Sequence, residues 1–256
     1  MNITTQQFRK MAASGLAGIF LASLLLLGGC SSISEYFDFT SDADLDLHVP
    51  SKALATKGMD DYNVGKYFTA LEYFEEILDR YPFSPEATLA ELKAADCNYH
   101  MGRYVEALVL YKEFEERHPT NEAIPYVMFQ RGMAHYMQID RIDRDTSGAV
   151  ESIKAFNQLL RAYPNSPYTA EAQARVKTGR EFLANHEFFV VDFYVRTEEY
   201  EQAKKRLNYL LAMYPDSAIA GDAQELLASL EAGEPPKRGI RDYLPSFSLP
   251  DWKVFQ

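Results

Sequence analysis

Four similar junctions divide the middle of the chain and constrain its fold more than any other feature. Each places a proline after Tyr or His and a Ser or Asn two residues beyond it; they are Tyr81-Pro82-Phe83-Ser84, His118-Pro119-Thr120-Asn121, Tyr163-Pro164-Asn165-Ser166 and Tyr214-Pro215-Asp216-Ser217. Proline ends a helix, and a Ser or Asn side chain can cap the next one. The prolines recur after 37, 45 and 51 residues. The junctions therefore predict a repeated unit of two helices, twice with a proline (Pro85, Pro167) at the first helical position.

The segment before each junction shares a second pattern, a small residue followed by large ones four and seven positions later. The sets are Ala70, Phe74 and Ile77; Ala107, Tyr111 and Phe114; Ser152, Phe156 and Leu159; and Ala203, Leu207 and Leu210. This spacing marks one face of a helix, and the small residue permits close approach of a partner. Gly58, Ala95 and Gly132 have the matching role on the preceding helices.

The repeated unit resembles the tetratricopeptide repeat (TPR), which has two antiparallel helices. The resemblance implies an all-α fold, a solenoid of about five helix-pair repeats in a right-handed superhelix, over residues 51–232. A charged loop, Gln138–Thr146, lengthens one interval. The next contains two predicted helical stretches, about Tyr168–Asn185 and Glu187–Arg196, and Ile219–Ala232 is predicted to form a capping helix.

The N-terminus predicts a secretion signal over residues 1–29. Arg9 and Lys10 precede 16 apolar or small residues, Ala12–Leu27, a length typical of a signal peptide and short for a bilayer-spanning helix. Leu27-Gly28-Gly29-Cys30 resembles the bacterial lipobox, which implies cleavage before Cys30 and attachment of a diacylglycerol and an acyl chain to it. An uncleaved anchor with an incidental cysteine is the alternative. By resemblance to the sorting of enterobacterial lipoproteins, Ser31 after the lipidated cysteine favours location in the outer membrane.

Charge and cysteine content narrow the classes of partner. Loss of two positive charges with the signal changes the formal charge from −11 to −13, which disfavours binding to nucleic acid or anionic lipid. Membrane attachment is therefore expected to be covalent, through an acidic tether over residues 30–50. With Cys30 acylated, Cys97 has no partner for a disulfide. The Pro- and aromatic-rich tail, residues 233–256, either packs along the solenoid or awaits a partner.

Catalytic motifs are not found. The five histidines show no metal-ligand spacing, and His186-Glu187 lacks the second histidine of a zinc-protease helix. Gly58, Gly65 and Lys66 lack the spacing of a phosphate loop and fit a turn of the repeat instead. We expect neither an enzyme, nor a metal site, nor a cofactor other than the lipid on Cys30.

A peptide-binding groove is the functional prediction from the repeat register. Tyr62, Tyr99 and Tyr136 recur every 37 residues, and three residues before them stand Met59, Asp96 and Met133. Phenol and thioether side chains offer apolar contact and hydroxyl donors at low entropic cost, which suits an extended peptide. The alternative is that the tyrosines are simply the packing residues of the repeat.

The charged loop and the segment after it carry a more specific resemblance. Asp140-Arg141-Ile142-Asp143-Arg144-Asp145, running into Ala155-Phe156-Asn157-Gln158-Leu159-Leu160-Arg161-Ala162-Tyr163-Pro164-Asn165-Ser166-Pro167-Tyr168, is similar to the BamD (ComL-like) family of TPR lipoproteins. The resemblance implies a non-enzymatic subunit of the β-barrel assembly (BAM) complex, anchored at the periplasmic face of the outer membrane. Its implied partners are the barrel subunit BamA, unfolded outer-membrane proteins and other Bam lipoproteins.

The same resemblance implies partner-binding residues. The family's arginine that contacts the barrel subunit aligns with Thr197, so its role passes to the neighbouring Arg196, and Arg141 and Arg144 are candidates in the charged loop. Another periplasmic TPR lipoprotein, such as a pilus-secretin pilotin or a cell-envelope coordinator, is the alternative function.

Overall fold

A computed structural model describes residues 50–234 and 236, and within them every regular element is an α-helix. The helices are α1 Ser51–Asn63, α2 Tyr67–Arg80, α3 Ala87–His100, α4 Tyr104–Arg117, α5 Ile124–Tyr136, α6 Ser147–Ala162, α7 Thr169–Arg196, α8 Tyr200–Met213 and α9 Ala220–Glu231. The chain divides into two compact units, Met1–Ala53 and Leu54–Gln256. Of the first, only Pro50 and the opening residues of α1 are described. In the second, successive helices from α2 to α9 pack against one another. Together with α1, whose Gly58 contacts Phe74 of α2, they form four pairs and a final helix.

A common turn joins the two helices of three pairs. Gly65, Gly102 and Glu198 occupy the same position and have positive φ angles of 81°, 75° and 62°. In each turn this residue donates its N–H to a carbonyl three residues back, and the next residue donates to one five residues back. These bonds satisfy the last carbonyls of the first helix. The charged loop replaces this turn between α5 and α6.

The predicted close approach at the small residues is confirmed for Gly58 and Gly132. A Cβ atom added at Gly58 would lie 2.9 Å from Cε1 of Phe74, and one at Gly132 would lie 2.5 Å from Cε1 of Phe156. The rings therefore occupy the space that a side chain on the preceding helix would need. The α7–α8 pair places Leu207 where the other pairs have Phe74, Tyr111 and Phe156, and the core there also contains Val191. A smaller second-helix residue leaves room for a larger first-helix one.

The prediction of two helical stretches between Tyr168 and Arg196 is wrong. The segment is one helix, α7, of 28 residues. Polar residues near its middle do not interrupt it, because the Asn185 amide donates to the Glu181 carbonyl one turn earlier. The first half of α7 packs on α6, where Gly179 faces Ile153, and the second half contributes to the core with α8 and α9.

The junction residues shape turns rather than cap helices. The Asn121 side chain accepts the N–H two residues later at 2.8 Å, and Ser166 does the same at 3.3 Å. Among the described residues, the Ser84 and Ser217 hydroxyls are buried without a hydrogen-bond partner. The following helices begin three residues after these Ser and Asn residues, so Pro85 and Pro167 lie in the turns. The cap predictions are wrong because the proline and the two residues after it already form a turn.

Within residues 50–234 and 236, no helix combines the length and the apolar character needed to cross a bilayer.

Candidate peptide-binding site

The repeated tyrosines lie at or near the ends of the first helices, and Tyr62 and Tyr136 contact the following pair. Lys93 Nζ of α3 lies 4.3 Å from the centroid of the Tyr62 ring of α1. The Tyr62 hydroxyl lies 3.2 Å from Nε2 of His100, also on α3. Tyr136, on α5, is covered by the Arg175 guanidinium of α7, 4.7 Å from the ring centroid. These tyrosines therefore join one helix pair to the next.

Their accessibility divides the predicted groove residues. Met59, Tyr62, Tyr99 and Met133 are half-buried and present part of their surface to solvent. Tyr136 is 5% exposed and belongs to the hydrophobic core, which corrects its prediction as a groove contact. The physical reason is the long helix α7, whose Arg175 closes over the ring. Peptide binding by the four half-buried residues stays a prediction.

Asp96 also requires a correction, because its side chain is completely buried. Its Oδ1 accepts hydrogen bonds from the hydroxyls of Tyr111, at 2.7 Å, and Tyr126, at 2.9 Å. Its Oδ2 accepts one from Lys93 Nζ at 2.8 Å. Buried carboxylates need such donors. Asp96 is thus a polar link between α3, α4 and α5 beneath the groove and makes no contact at its surface.

Burial keeps the phenols and the thiol of this region protonated. Desolvation, and then the Asp96 charge, raises the pKa of Tyr62 well above its ordinary value. Desolvation, helped by the nearby Tyr104, raises the pKa of Tyr99 to about 12. The pKa of Cys97 also rises to about 12 through burial and then Asp96. The tyrosines are therefore neutral hydrogen-bond donors, and Cys97 is a buried, protonated thiol of the core.

His100 lies at the centre of a partly exposed aromatic cluster. Its ring stacks on Tyr67 with centroids 4.5 Å apart, and meets Tyr62 and Tyr99 edge-on at 5.8 and 5.5 Å. Desolvation lowers the pKa of His100, so the ring remains neutral at physiological pH. We call Tyr62, Tyr67, Tyr99 and His100 the aromatic cluster. It offers fixed, uncharged rings and polar tips to a ligand, a combination suited to apolar side chains on an extended backbone.

The predicted partner-binding arginines of the charged loop are exposed. Arg141 and Arg144 each form an ion pair with an aspartate of the same loop, at 3.0 and 2.6 Å. The loop is held against α7, where the Nδ1–H of His186 donates to the Ile142 carbonyl at 2.6 Å. Since a carbonyl can only accept, the ring proton is on Nδ1. Partner binding by Arg141 and Arg144 stays a prediction.

Arg196 ends α7 with its side chain half in solvent and its Nε 3.0 Å from Oδ2 of Asp192. Phe189 and Phe193 are exposed on the same helix. The spacing 189, 193, 196 places all three on one face. The two phenylalanines were not predicted as site residues from the sequence. Their spacing of seven and three residues relative to Arg196 could have indicated that they share a helix face with it. Arg196 is thus at the end of an apolar surface that fits a protein partner.

Two further predictions concern a metal site and the two ends of the chain. No group of three or more His, Cys, Asp or Glu residues that could hold a metal occurs in the described part of the chain. Cys30 and residues 237–256 of the tail lie outside the described residues.

Successive helix pairs joined by a repeated turn define a protein of the TPR type. The model of the YfiO family, described as "Outer membrane lipoprotein", matches residues 48–233. The chain belongs to this family of outer membrane lipoproteins, the BamD family.

Relatives agree with this assignment. The outer membrane protein assembly factor BamD of Vibrio cholerae is 30% identical over 210 residues, covering 78% of this chain and 87% of that protein. BamD of Xylella fastidiosa is 27% identical over 218 residues, covering 81% and 72%. These matches do not favour the alternative of a pilotin or envelope coordinator. Among solved structures, the TPR2AB domain in a pHSP90 complex of yeast Sti1 aligns with a TM-score of 0.42 at 12% identity, covering 72% of this chain and 71% of that one.

Proposed function

We propose that this protein is a lipid-anchored, non-enzymatic subunit of the BAM complex at the periplasmic face of the outer membrane. Acylation of Cys30 anchors it. It binds unfolded outer-membrane proteins, the periplasmic domains of BamA and other Bam lipoproteins. Support comes from the family match and from relatives named for outer-membrane protein assembly.

The aromatic cluster carries the proposal for substrate binding. Its rings are held in place by mutual contacts and by Lys93, so little side-chain freedom is lost when a ligand binds. Unfolded barrel strands alternate apolar and polar side chains. Apolar side chains pack on the rings, and the Tyr62 and Tyr99 hydroxyls serve the strand's polar groups.

The test of substrate binding compares single tyrosine variants. Tyr62→Ala and Tyr99→Ala are measured against Tyr209→Ala, which removes an exposed tyrosine from α8. A labelled peptide from the last strand of an outer-membrane barrel is titrated by fluorescence anisotropy. The first two variants weaken binding by roughly tenfold, the cost of a moderate hot spot, while Tyr209→Ala does not. Equal affinities, with unchanged helicity, would refute the cluster as the substrate site.

BamA binding is assigned to the face formed by Phe189, Phe193 and Arg196, with a contribution from Arg141 and Arg144. Arg196→Ala and Phe193→Ala are expected to reduce co-purification of BamA, and Lys205→Ala, on the exposed side of α8, is the control. Loss of an aromatic or arginine anchor removes much of the binding energy of an interface. Unchanged recovery of BamA would exclude this face.

Cellular evidence decides between this function and another lipoprotein scaffold. Depletion of the protein lowers porin levels in the outer membrane if it serves barrel assembly. Co-purification of a secretin in place of BamA would favour the pilotin. Mass spectrometry of the mature N-terminus shows whether Cys30 carries the acyl groups.

A further inference from the structure

Exposed apolar side chains lie at the tips of the first two helix pairs, beside the aromatic cluster. Val64 is 68% and Phe68 58% exposed at the α1–α2 turn, and Val105 is 63% exposed at the start of α4. The stacking of Tyr67 on His100 at 4.5 Å brings the two tips together. We define the tip surface as Val64, Phe68, Val105 and Val109.

The last helix pair provides an internal comparison. Its turn has the same hydrogen bonds and the same positive φ, at Glu198. In the last pair, Thr197 stands at the position of Val64, and Lys205 stands at the position of Val109. Glu201 stands at the position shared by Phe68 and Val105. The fold therefore does not require apolar residues at these positions. Exposing several of them together is unfavourable unless something covers them.

Cations accompany the apolar residues at both tips. Lys66 and Arg103 are exposed, whereas the equivalent residue of the last pair is Glu199. The acidic group next to Lys66 is Asp61, with Nζ and Oδ1 3.5 Å apart. Tyrosines 67 and 104 follow the two cations directly. Apolar side chains flanked by Lys, Arg and Tyr are typical of surfaces that enter the membrane interface.

We propose that the tip surface docks on the phospholipid surface of the membrane that carries the anchor. This inference rests on the proposed acylation of Cys30. The acidic tether of about 20 residues can span at most about 70 Å. This reach exceeds the length of about 20 Å expected for α1, so the tether allows the tips at the far end of α1 to meet the membrane. The anchor therefore brings the protein to the membrane without fixing its orientation.

A weak contact is sufficient to fix that orientation. Because the anchor makes docking intramolecular, the effective lipid concentration is high, and a few apolar side chains decide which face turns to the membrane. The net negative charge of the protein is repelled by anionic headgroups, which favours docking through the tips that carry Lys66 and Arg103. The aromatic cluster then lies next to the membrane surface.

Site-specific quenching tests the docking. The full lipidated protein is placed in vesicles of phosphatidylethanolamine and phosphatidylglycerol with brominated acyl chains. A bimane dye is attached to Val64→Cys or Val105→Cys, and buried Cys97 is left unlabelled. Thr197→Cys is the matched control at the equivalent turn. Phe83→Cys is the control for a fully exposed apolar residue at the other end of α2.

We expect the dye to be quenched at positions 64 and 105 roughly twofold or more strongly than at positions 197 and 83. The reason is that docking buries the side chains at 64 and 105 at the boundary of the acyl chains. Phe68→Ser with Val105→Ser reduces the quenching at 64. Equal quenching at all four positions, or quenching at 83 alone, would overturn the inference.

Two more readouts distinguish lipid docking from peptide binding and from loss of the anchor. If the dye at 64 responds to an added barrel peptide and not to lipid, the tip surface binds polypeptide and the inference fails. Mass spectrometry of the same sample reports acylation of Cys30. Acylated protein without quenching at 64 and 105 rejects the docking and leaves the proposed function intact. Absence of the acyl group rejects the anchor, and with it the inference.

Discussion

The Tyr126 hydroxyl donates a hydrogen bond of 2.9 Å to Oδ1 of Asp96, thirty residues earlier in the chain. The bond joins α5 to α3, and Lys93, which bonds the other carboxylate oxygen, also contacts the Tyr62 ring of α1. A short polar path therefore crosses three helix pairs beneath the aromatic cluster. Its members are mutually satisfied, so the path holds the cluster in one arrangement.

Removal of the carboxylate is expected to destabilise the protein strongly. Asp96→Ala leaves the half-buried Lys93 and two tyrosine hydroxyls without their acceptor and should cost roughly 3–5 kcal/mol. Tyr126→Phe removes the hydrogen bond donated to Asp96 and the one accepted from Gln130, and should cost about 1–2 kcal/mol. Urea unfolding followed by far-UV circular dichroism measures both, with exposed Asp79→Ala as the control. An Asp96→Ala protein as stable as the control would contradict the structure.

A methyl group added at Gly132 should meet the Phe156 ring. The added Cβ would lie 2.5 Å from Cε1, so the ring or the helix must shift, at a cost of roughly 1–3 kcal/mol in unfolding free energy. Gly221→Ala is the control, because nothing lies within 4 Å of its added Cβ; it should stabilise α9 by about 0.5–1 kcal/mol. Phe156→Leu in the Gly132→Ala background should recover part of the loss. A neutral Gly132→Ala would show that α5 and α6 are not so closely packed.

The turn before α8 should become more stable with glycine. Glu198 has a φ of 62°. At the equivalent positions of the other two turns, the residues with positive φ are Gly65 and Gly102. The left-handed conformation costs a non-glycine residue about 1–2 kcal/mol, partly offset by the flexibility that glycine adds to the unfolded chain. Glu198→Gly should therefore raise the thermal midpoint modestly, and Gly102→Ala should lower it. A lower midpoint for Glu198→Gly would mean that its side chain makes a stabilising contact.

Cys97 should resist alkylation in the folded protein. Its pKa of about 12 leaves almost no thiolate at pH 8, and its side chain is buried. Iodoacetamide should modify it only after urea unfolding, whereas the exposed thiol of the Val64→Cys variant should react at once.

The same shift predicts a loss of stability at alkaline pH. Between the ordinary thiol pKa and about 12, the unfolded chain releases a proton that the folded protein keeps, so the free energy of unfolding falls as pH rises. Cys97→Ala should flatten that slope above about pH 9 in denaturant titrations. An equal slope in both proteins would mean that Cys97 is not protected by the fold.

The repeated parts of the fold were predictable, because the same packing problem recurs. Gly58 and Gly132 could be recognised in advance as points of close approach, since their spacing follows the repeat, and the structure places Phe74 and Phe156 against them. The continuity of α7 could not, because helix propensity near Asn185 and His186 does not distinguish one long helix from two short ones. The continuous helix is supported by its packing on α6 and α8, and these tertiary contacts are not recorded in the local sequence.

The candidate site was predicted less completely. The register placed Tyr62 and Tyr99 at equivalent positions, but it also placed Asp96 and Tyr136 among the surface residues. Their burial depends on donors and cations from later helices, such as Tyr126 and Arg175, whose direction no repeat pattern records. A repeat register therefore identifies equivalent backbone positions without fixing which side chains meet solvent.

The continuous helix α7 packs on α6 of the preceding pair with its first half and on α8 of its own pair with its second half. Because each residue advances a helix by about 100° and 1.5 Å, the number of residues between Gly179 and Val191 sets the angle at which the Arg196 face is turned relative to the charged loop. One inserted residue would rotate the last pair by more than a quarter of a turn while leaving its own packing intact. The two surfaces proposed to meet BamA are thus aligned by a residue count, which makes helix length itself a determinant of assembly.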